Sequence, residues 1–289
     1  MNVGFIGLGR MGGGCCSNII AKGHRVVVYD LAAGAMQAFR GRAQLARNAN
    51  EVFEETDVTI LSLPGYPEVE AVNAGFLEKP VQGKGVVDIS TSSPVSSRRI
   101  HERFKAAGGR YLDAPLTGTP AMAAEGTLVV NVGGDVEDYT YYKPLIESFA
   151  KTSHYIGPSG SGNIAKLVSN YLAIMYEALY AECFPLAEKA GCDVAKLFEI
   201  ISDSGVNCGM YQNTVPKMCI RKTFDRGFLL DYCLKDLSYF KLLFDEHKAP
   251  SLLLDAGINL FKLGHALGLG QEDASAVAKV SYNNLGLDV

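Results

Sequence analysis

The sequence is short of several things that would place it in common classes. No stretch reaches the roughly 18 uninterrupted apolar residues that a membrane-spanning helix needs, so insertion in a bilayer is not expected. There is no surplus of positive charge: 27 Lys and Arg against 31 Asp and Glu leave a formal net charge of −4. With no basic run or arginine–aromatic stretch either, the chain has no general attraction for a phosphate polymer, and nucleic acid is not an expected partner. The seven cysteines contain no C-x-x-C pair and no Cys/His cluster at ligand spacing, which points away from a zinc site and from a disulfide framework. The N-terminus shows no basic leader followed by an apolar segment and a small-residue cleavage site. Reduced thiols in a cytoplasmic protein are the expectation. Internal repeats and low-complexity segments are also missing.

What remains is a globular composition. The 289 residues are 48% hydrophobic and 20% charged, enough for a buried core and for about two domains. In the first half, short β-branched runs alternate with helical stretches. Strands are predicted at Val3–Ile6, Arg25–Tyr29, Val58–Leu63, Gly85–Ile89, Arg110–Leu112, Thr127–Val132 and His154–Ile156. Several are continuously apolar, as in a parallel sheet covered on both faces, and their spacing fits βαβ crossovers. Past the loop Pro158-Ser159-Gly160-Ser161-Gly162, the run from Asn163 to Ala190 has helical periodicity, with Pro185 expected to kink or restart it. Beyond Gly191 only helices are expected: Val194–Ile201 behind an Asp193 N-cap, then Asn213–Met218, Leu229–Glu246, Ser251–Leu267 and Ser275–Leu285. The organisation predicted is a dinucleotide-binding α/β domain over residues 1–160, a connecting helix over 161–190, and a helical domain for substrate binding and oligomerisation over 191–289.

Gly7-Leu8-Gly9-Arg10-Met11-Gly12 fits G-x-G-x-x-G between a strand and a helix. Gly7 allows the tight turn, Gly9 lets backbone approach a pyrophosphate, and Gly12 lets helix pack against strand. The helix N-terminus then offers N–H groups and partial positive charge to that phosphate. Glycine turns alone are common. Here the second strand also ends on an acid, Asp30, at about the 20-residue spacing at which a carboxylate bonds the adenosine ribose. A doubly wound, mostly parallel Rossmann sheet is therefore expected. Asp30 repels a 2′-phosphate and Leu31-Ala32-Ala33 brings no arginine to hold one, which favours NAD over NADP. Were Asp30 only a turn residue or an N-cap, that preference would stay open.

Taken together, the motifs resemble those of the β-hydroxyacid dehydrogenase family, which includes 3-hydroxyisobutyrate dehydrogenase and, more distantly, 6-phosphogluconate dehydrogenase. The glycine-rich opening is one. Asp113-Ala114-Pro115-Leu116-Thr117-Gly118-Thr119, with Gly126-Thr127-Leu128, is similar to the family's D-x-P-x-S-G-G and G-T-L. The run from Gly162 through Lys166 to Ser169-Asn170 is similar to G-x-x-x-K-x-x-N-N, and Lys235-Asp236-Leu237 matches a late K-D-L. The resemblance implies that Lys166 is the catalytic lysine and that Asn170 orients it or binds substrate. It implies that Thr117 and Gly118 grip the substrate carboxylate beside Thr119, and that Lys235 lies near cofactor and substrate. Arg10 and Met11 in the glycine loop, the Leu63-Pro64 turn and Ser90-Thr91 would line the cofactor.

Elementary chemistry agrees. Lys166 and Asn170 are four positions apart, hence on one helical face, and a helix leaving the glycine loop before it can carry both into an interdomain cleft. A lysine desolvated there has its pKa lowered and becomes a usable base. The blander readings are a solvated Lys166, an Asn170 bonded to a neighbouring loop, a plain turn at Thr117-Gly118, a Lys235 paired with Asp231 or Glu182, and a Ser93-Pro94 that merely starts a helix. Lys166 argues against imine reduction, which uses a related architecture with another residue at that position. With Asn170 also retained, the motif argues against a non-catalytic nucleotide-binding relative. Three departures from the family pattern lie in or beside the implied pocket: Thr117 keeps the hydroxyl of the usual Ser but adds a methyl group, Thr119 in place of Gly narrows the space and adds a donor, and Ser169 replaces the first Asn of the pair. The expected reaction interconverts a short 3-hydroxy acid and its semialdehyde with NAD, the alternative substrates being more polar semialdehydes of the tartronate, succinic or sulfolactaldehyde type. Apolar stretches at Leu167–Met175 and Ser251–Leu263 suggest a homodimer or homotetramer.

Overall fold

Alternation of β-branched runs with amphipathic segments builds an open, mostly parallel sheet in the computed structural model, which describes residues 1–225 and 227–289. The elements of the first half are β1 (Asn2–Ile6), α1 (Gly12–Ala21), β2 (Arg25–Tyr29), α2 (Ala33–Gln37), β3 (Gln44–Leu45), α3 (Ala49–Glu55), β4 (Val58–Leu61) and α4 (Tyr66–Phe76). They continue with β5 (Gly85–Asp88), α5 (Pro94–Ala106), β6 (Arg110–Asp113), β7 (Leu116–Thr117), α6 (Pro120–Glu125), β8 (Leu128–Gly133), α7 (Val136–Ile146) and β9 (Ala150–Gly157). Strand order is β3-β2-β1-β4-β5-β6-β8-β7, with β9 beside β8. Pairing is parallel through β6; β8 runs antiparallel to β6 and β7 and parallel to β9. The order reverses at β1, between β2 and β4. That switch point is where an open α/β sheet leaves a crevice at its carboxyl edge.

Both sheet faces are covered. On one, Phe5, Val28 and Val87 pack with Cys15, Cys16 and Ile19 of α1; on the other, Ile6, Val27 and Leu61 pack with Phe53, Phe76, Ile100 and Phe104. Phe53 stacks on Phe76 at 4.3 Å and meets Phe104 edge-on at 6.3 Å. Each such buried side chain stabilises by about 1.5–3 kcal/mol relative to exposure, so strand direction at the carboxyl edge is firmly held.

The chain forms two compact units, Met1–Lys166 and Leu167–Val289. Their boundary falls within a single helix, α8 (Ser161–Lys189). The second unit continues with α9 (Val194–Ser202), α10 (Gly209–Val215), a π-helical turn at Pro216–Ile220, α11 (Leu230–Glu246), α12 (Leu252–Ala266), two 3-10 turns and α13 (Ala278–Leu285). Asp193 caps α9 by accepting from Ala195 N and Lys196 N. Of the two outcomes expected at Pro185, a restart does not occur: α8 runs through it from Ser161 to Lys189, and the missing N–H removes one i→i−4 bond within the last turns. The two-residue strands β3 and β7 were not foreseen, being too short to show a period.

Candidate active site

The glycine loop follows β1 at the switch point. Gly7 has φ +94°, its N–H donates to Tyr29 O at 3.0 Å, and a side chain there would collide with the Ser62 carbonyl. A side chain on Gly12 would collide with Gly7 O, whereas nothing lies within 4 Å of the place a Gly9 Cβ would take. Gly7 and Gly12 are thus required by the protein itself, and the space over Gly9 is left for something else. The first backbone bond of α1 runs from Gly13 N to Gly9 O at 2.8 Å, so the N–H groups of Arg10, Met11 and Gly12 precede the helical ladder and suit an anion.

Asp30 does two things at once. Its Oδ2 accepts from Leu8 N at 2.6 Å and its Oδ1 from Ala32 N at 2.7 Å, which fixes the glycine loop to the end of β2. A carboxylate has about four acceptor positions, so capacity remains for ribose hydroxyls. Leu31, 91% exposed, brings no charge. Open space above Gly9, free helix N–H groups and an acid at the β2 end fit a dinucleotide.

At the ends of β4 and β5, Leu63 N donates to Ser90 Oγ at 2.9 Å and Ser90 N donates to Asp88 Oδ1 at 3.0 Å. Asp88 is fully buried, accepts from Tyr111 Oη at 3.1 Å, and is pushed up to about 7 by burial. Pro64 is exposed and Thr91 half-buried. Thr117 ends β7 half-buried, and Gly118 follows at φ +139°. Thr119 is the N-cap of α6, accepting from Met122 N at 3.3 Å, so its oxygen is partly engaged and its hydroxyl proton is the group left to offer. Gly14 was not singled out from sequence, yet it is where α6 meets α1: a side chain there would press on Ala123 at 2.7 Å, and Asn18 Nδ2 donates to Ala123 O at 2.9 Å.

Lys166 stands half-buried in α8. The turn that begins this helix is held by Asp113, whose Oδ1 accepts from Gly160 N at 2.7 Å and whose Oδ2 accepts from Asn163 N at 2.9 Å. One turn past Lys166, Asn170 Nδ2 donates to Asp236 Oδ2 at 2.6 Å. Asp236 is buried, and Lys235 Nζ lies 3.2 Å from its Oδ1 and 5.1 Å from the centre of the Tyr239 ring. Among described contacts, Lys235 thus meets its neighbour Asp236, while Asp231 takes His265 Nδ1 at 2.7 Å and Gln271 Nε2 at 3.1 Å. Asp88, Asp113, Asn163 and Asp236 were missed from sequence as organising residues. Asp113, Asn163 and Asp236 stood inside the quoted motifs, which was the available signal.

Comparison with known proteins identifies the family. Residues 2–157 match the family described as the NAD binding domain of 6-phosphogluconate dehydrogenase, and residues 160–281 that described as NAD-binding of NADP-dependent 3-hydroxyisobutyrate dehydrogenase. The chain belongs to the β-hydroxyacid dehydrogenase family. Nicotinamide-dependent oxidoreduction comes with that membership. Similar proteins include 2-(hydroxymethyl)glutarate dehydrogenase of Eubacterium barkeri, 31% identical over 100% of this chain and 97% of that one. Another is 2-hydroxy-3-oxopropionate reductase of Escherichia coli, 30% identical over 96% of each. Among solved structures, Mycobacterium tuberculosis 3-hydroxyisobutyrate dehydrogenase with L-serine is 29% identical, with a TM-score of 0.87 over 96% of this chain and 98% of that one. No described helix is long and apolar enough to cross a membrane.

Proposed function

We propose that this family member is an NAD-dependent enzyme interconverting a short, polar 3-hydroxy acid and its semialdehyde, with Lys166 as the general acid/base. The observation that carries the reading is the unbroken helix bearing Lys166 and, one turn on, an Asn170 whose amide is oriented by buried Asp236. A bound nicotinamide supplies the hydride acceptor in oxidation and the donor in reduction. In oxidation the Lys166 amine takes the alcohol proton; in reduction its ammonium returns that proton to the carbonyl oxygen. Thr117 Oγ and the Gly118 N–H suit the substrate carboxylate, and Lys235 supplies a second positive charge for substrate or cofactor.

Preference for NAD is supported by Asp30 and by the lack of a cation at residues 31–33. A 2′-phosphate would meet a carboxylate already anchored to two backbone N–H groups. Preference for a polar substrate is supported by the added hydroxyl of Thr119, where the family pattern has Gly, beside the hydroxyl that Thr117 keeps in place of Ser. 2-Hydroxy-3-oxopropionate is tartronate semialdehyde, the type of compound such a pocket suits. We also propose self-association as a homodimer or homotetramer, supported by the exposed apolar side chains Leu172, Tyr176, Leu179 and Leu186 of α8.

One kinetic screen tests the reading: tartronate semialdehyde, succinic semialdehyde, sulfolactaldehyde and 3-hydroxyisobutyrate, each with NAD(H) and NADP(H). The polar semialdehydes and NADH should give the highest kcat/KM; 3-hydroxyisobutyrate far ahead of them all would refute the substrate assignment. In the same assay Lys166→Ala should lower kcat by about 10²–10⁴-fold with NADH affinity nearly intact. Undiminished turnover would mean another base.

A further inference from the structure

The start of α8 is anchored more heavily than a helix end requires. Asp113 and Asn163 both have no exposed surface. Besides accepting from Gly160 N and Asn163 N, Asp113 Oδ1 takes the Ser159 hydroxyl at 3.4 Å. Asn163 reaches the other way: its Oδ1 accepts from Ser92 N at 2.8 Å, and its Nδ2 donates to Ser97 Oγ at 3.1 Å. Helix start, β6 end and the loop after β5 are therefore cross-tied through two side chains. Glycines make room for the joint. A Gly133 Cβ would come within 2.7 Å of Asp113 Oδ1 and 2.8 Å of Gly162 N, and a side chain on Gly162 would collide with the carbonyls of Asp113 and Asn131.

Burying a carboxylate is costly unless it is hydrogen-bonded, and a helix on the surface is adequately capped by a Ser or an Asp. Capping alone does not call for a second buried amide that binds the loop carrying Ser90 and Thr91. Lys166 is three residues beyond Asn163, on an adjoining part of the helix surface, so the orientation of this first turn sets where its amine points.

We propose that Asp113 and Asn163 are positioning residues for the reaction, locking the first turn of α8 to the ends of β5 and β6 so that the Lys166 amine is held at its working place. This rests on Lys166 being the proton-transfer group. Displacement of a catalytic group by about 1 Å is worth on the order of 100-fold in rate, which sets the scale for what the lock can contribute.

The test is a double-mutant cycle in the full-length protein, read as kcat with the best semialdehyde and NADH. Asn163→Ala should lower kcat by roughly 10–100-fold while KM and NADH affinity change by less than about threefold. In a Lys166→Ala background the same substitution should cost almost nothing, because its effect passes through the missing amine. Asp113→Asn keeps an acceptor oxygen and should retain about tenfold more activity than Asp113→Ala. If Asn163→Ala fails to fold, Ser97→Ala, which removes the partner of Nδ2 together with a local bond from Ser97 Oγ to Ser93 O, should show a smaller loss with the same non-additivity. Full turnover in Asn163→Ala, or an equal loss with and without Lys166, overturns the positioning role. Full turnover in Lys166→Ala overturns the lysine reading instead, and the two failures are told apart by which single variant stays active.

Discussion

Glu177 lies two turns along α8 from Asn170, and its Oε2 has neither solvent contact nor a hydrogen-bond partner among the described residues, although the residue as a whole is only half-buried. Burial first, and the charge of Asp273 second, push its carboxyl up to about 8. In the unfolded chain it titrates near 4.5, so between pH 4.5 and 8 the folded state holds a proton that the unfolded state has released. Folding stability contributed by this group is therefore present below pH 4.5 and lost as pH rises towards 8, at about 1.4 kcal/mol per pH unit at most. Glu177→Gln removes the titration at nearly constant shape. Urea unfolding should find the variant more stable than the parent at pH 8, by a few kcal/mol, and little different at pH 5. Equal gaps at both pH values would show that the carboxyl is ionised in the folded protein. At this scale the sequence exposed residues whose meaning is local, such as glycines in a spaced turn and Asp30 at a strand end, whereas Lys166 and Asn170 stood out through the family resemblance. Asp113, Asn163 and Glu177 derive their meaning from partners or burial set by distant parts of the chain; Asp113 and Asn163 stood inside quoted motifs without their role being readable there, and nothing near Glu177 signals its burial.

Among the elements, α3 shows how a remote residue can complete a helix. Lys84, just before β5, places its Nζ 2.9 Å from Phe53 O, 3.0 Å from Glu54 O and 2.8 Å from Thr56 O. Those are the carbonyls a helix C-terminus leaves unpaired, where a cation also suits the dipole. The ammonium lies 5.4 Å from the centre of the Phe53 ring as well, and burial holds its pKa below the ordinary lysine value. Lys84→Met preserves the stem and strips three charge-assisted bonds. Urea denaturation should show a loss of about 1.5–3 kcal/mol, with NADH affinity unchanged in the folded variant because α3 carries none of the cofactor-lining residues. A loss below about 0.5 kcal/mol would mean that water replaces the ammonium without cost. Most long elements could be read from periodicity, as with β2, whose residues Arg25–Tyr29 coincide with expectation. The departures have separate grounds: β3 and β7 have two residues each, too few to show a period, α8 continues through Pro185 within its last turns, and Pro216–Ile220 adopts a π-helical turn that no short-range pattern announces.

For the molecule as a whole, α8 presents two opposite faces within the helical unit. Leu167, Ile174, Ala178, Ala181 and Phe184 are buried, while Val168, Leu172, Tyr176, Leu179 and Leu186 are 40–57% exposed. At 100° per residue, the exposed five fall within about 80° of one another, a continuous apolar stripe more than five turns long. Scattered exposed leucines mean little, but a contiguous stripe on a long helix is the usual mark of an interface. Composition anticipated this only as an excess of apolar residues; sorting buried from exposed needed the fold. The pair Leu172→Glu and Leu179→Glu puts two charges at the middle of the stripe without touching the buried face. Sedimentation should find the parent as a dimer or tetramer and the double variant shifted to monomer by about 1.5–3 kcal/mol for each leucine removed from the contact, with helical content retained. A parent that sediments as a monomer at micromolar concentration would leave the stripe as exposed surface with no self-association to explain it.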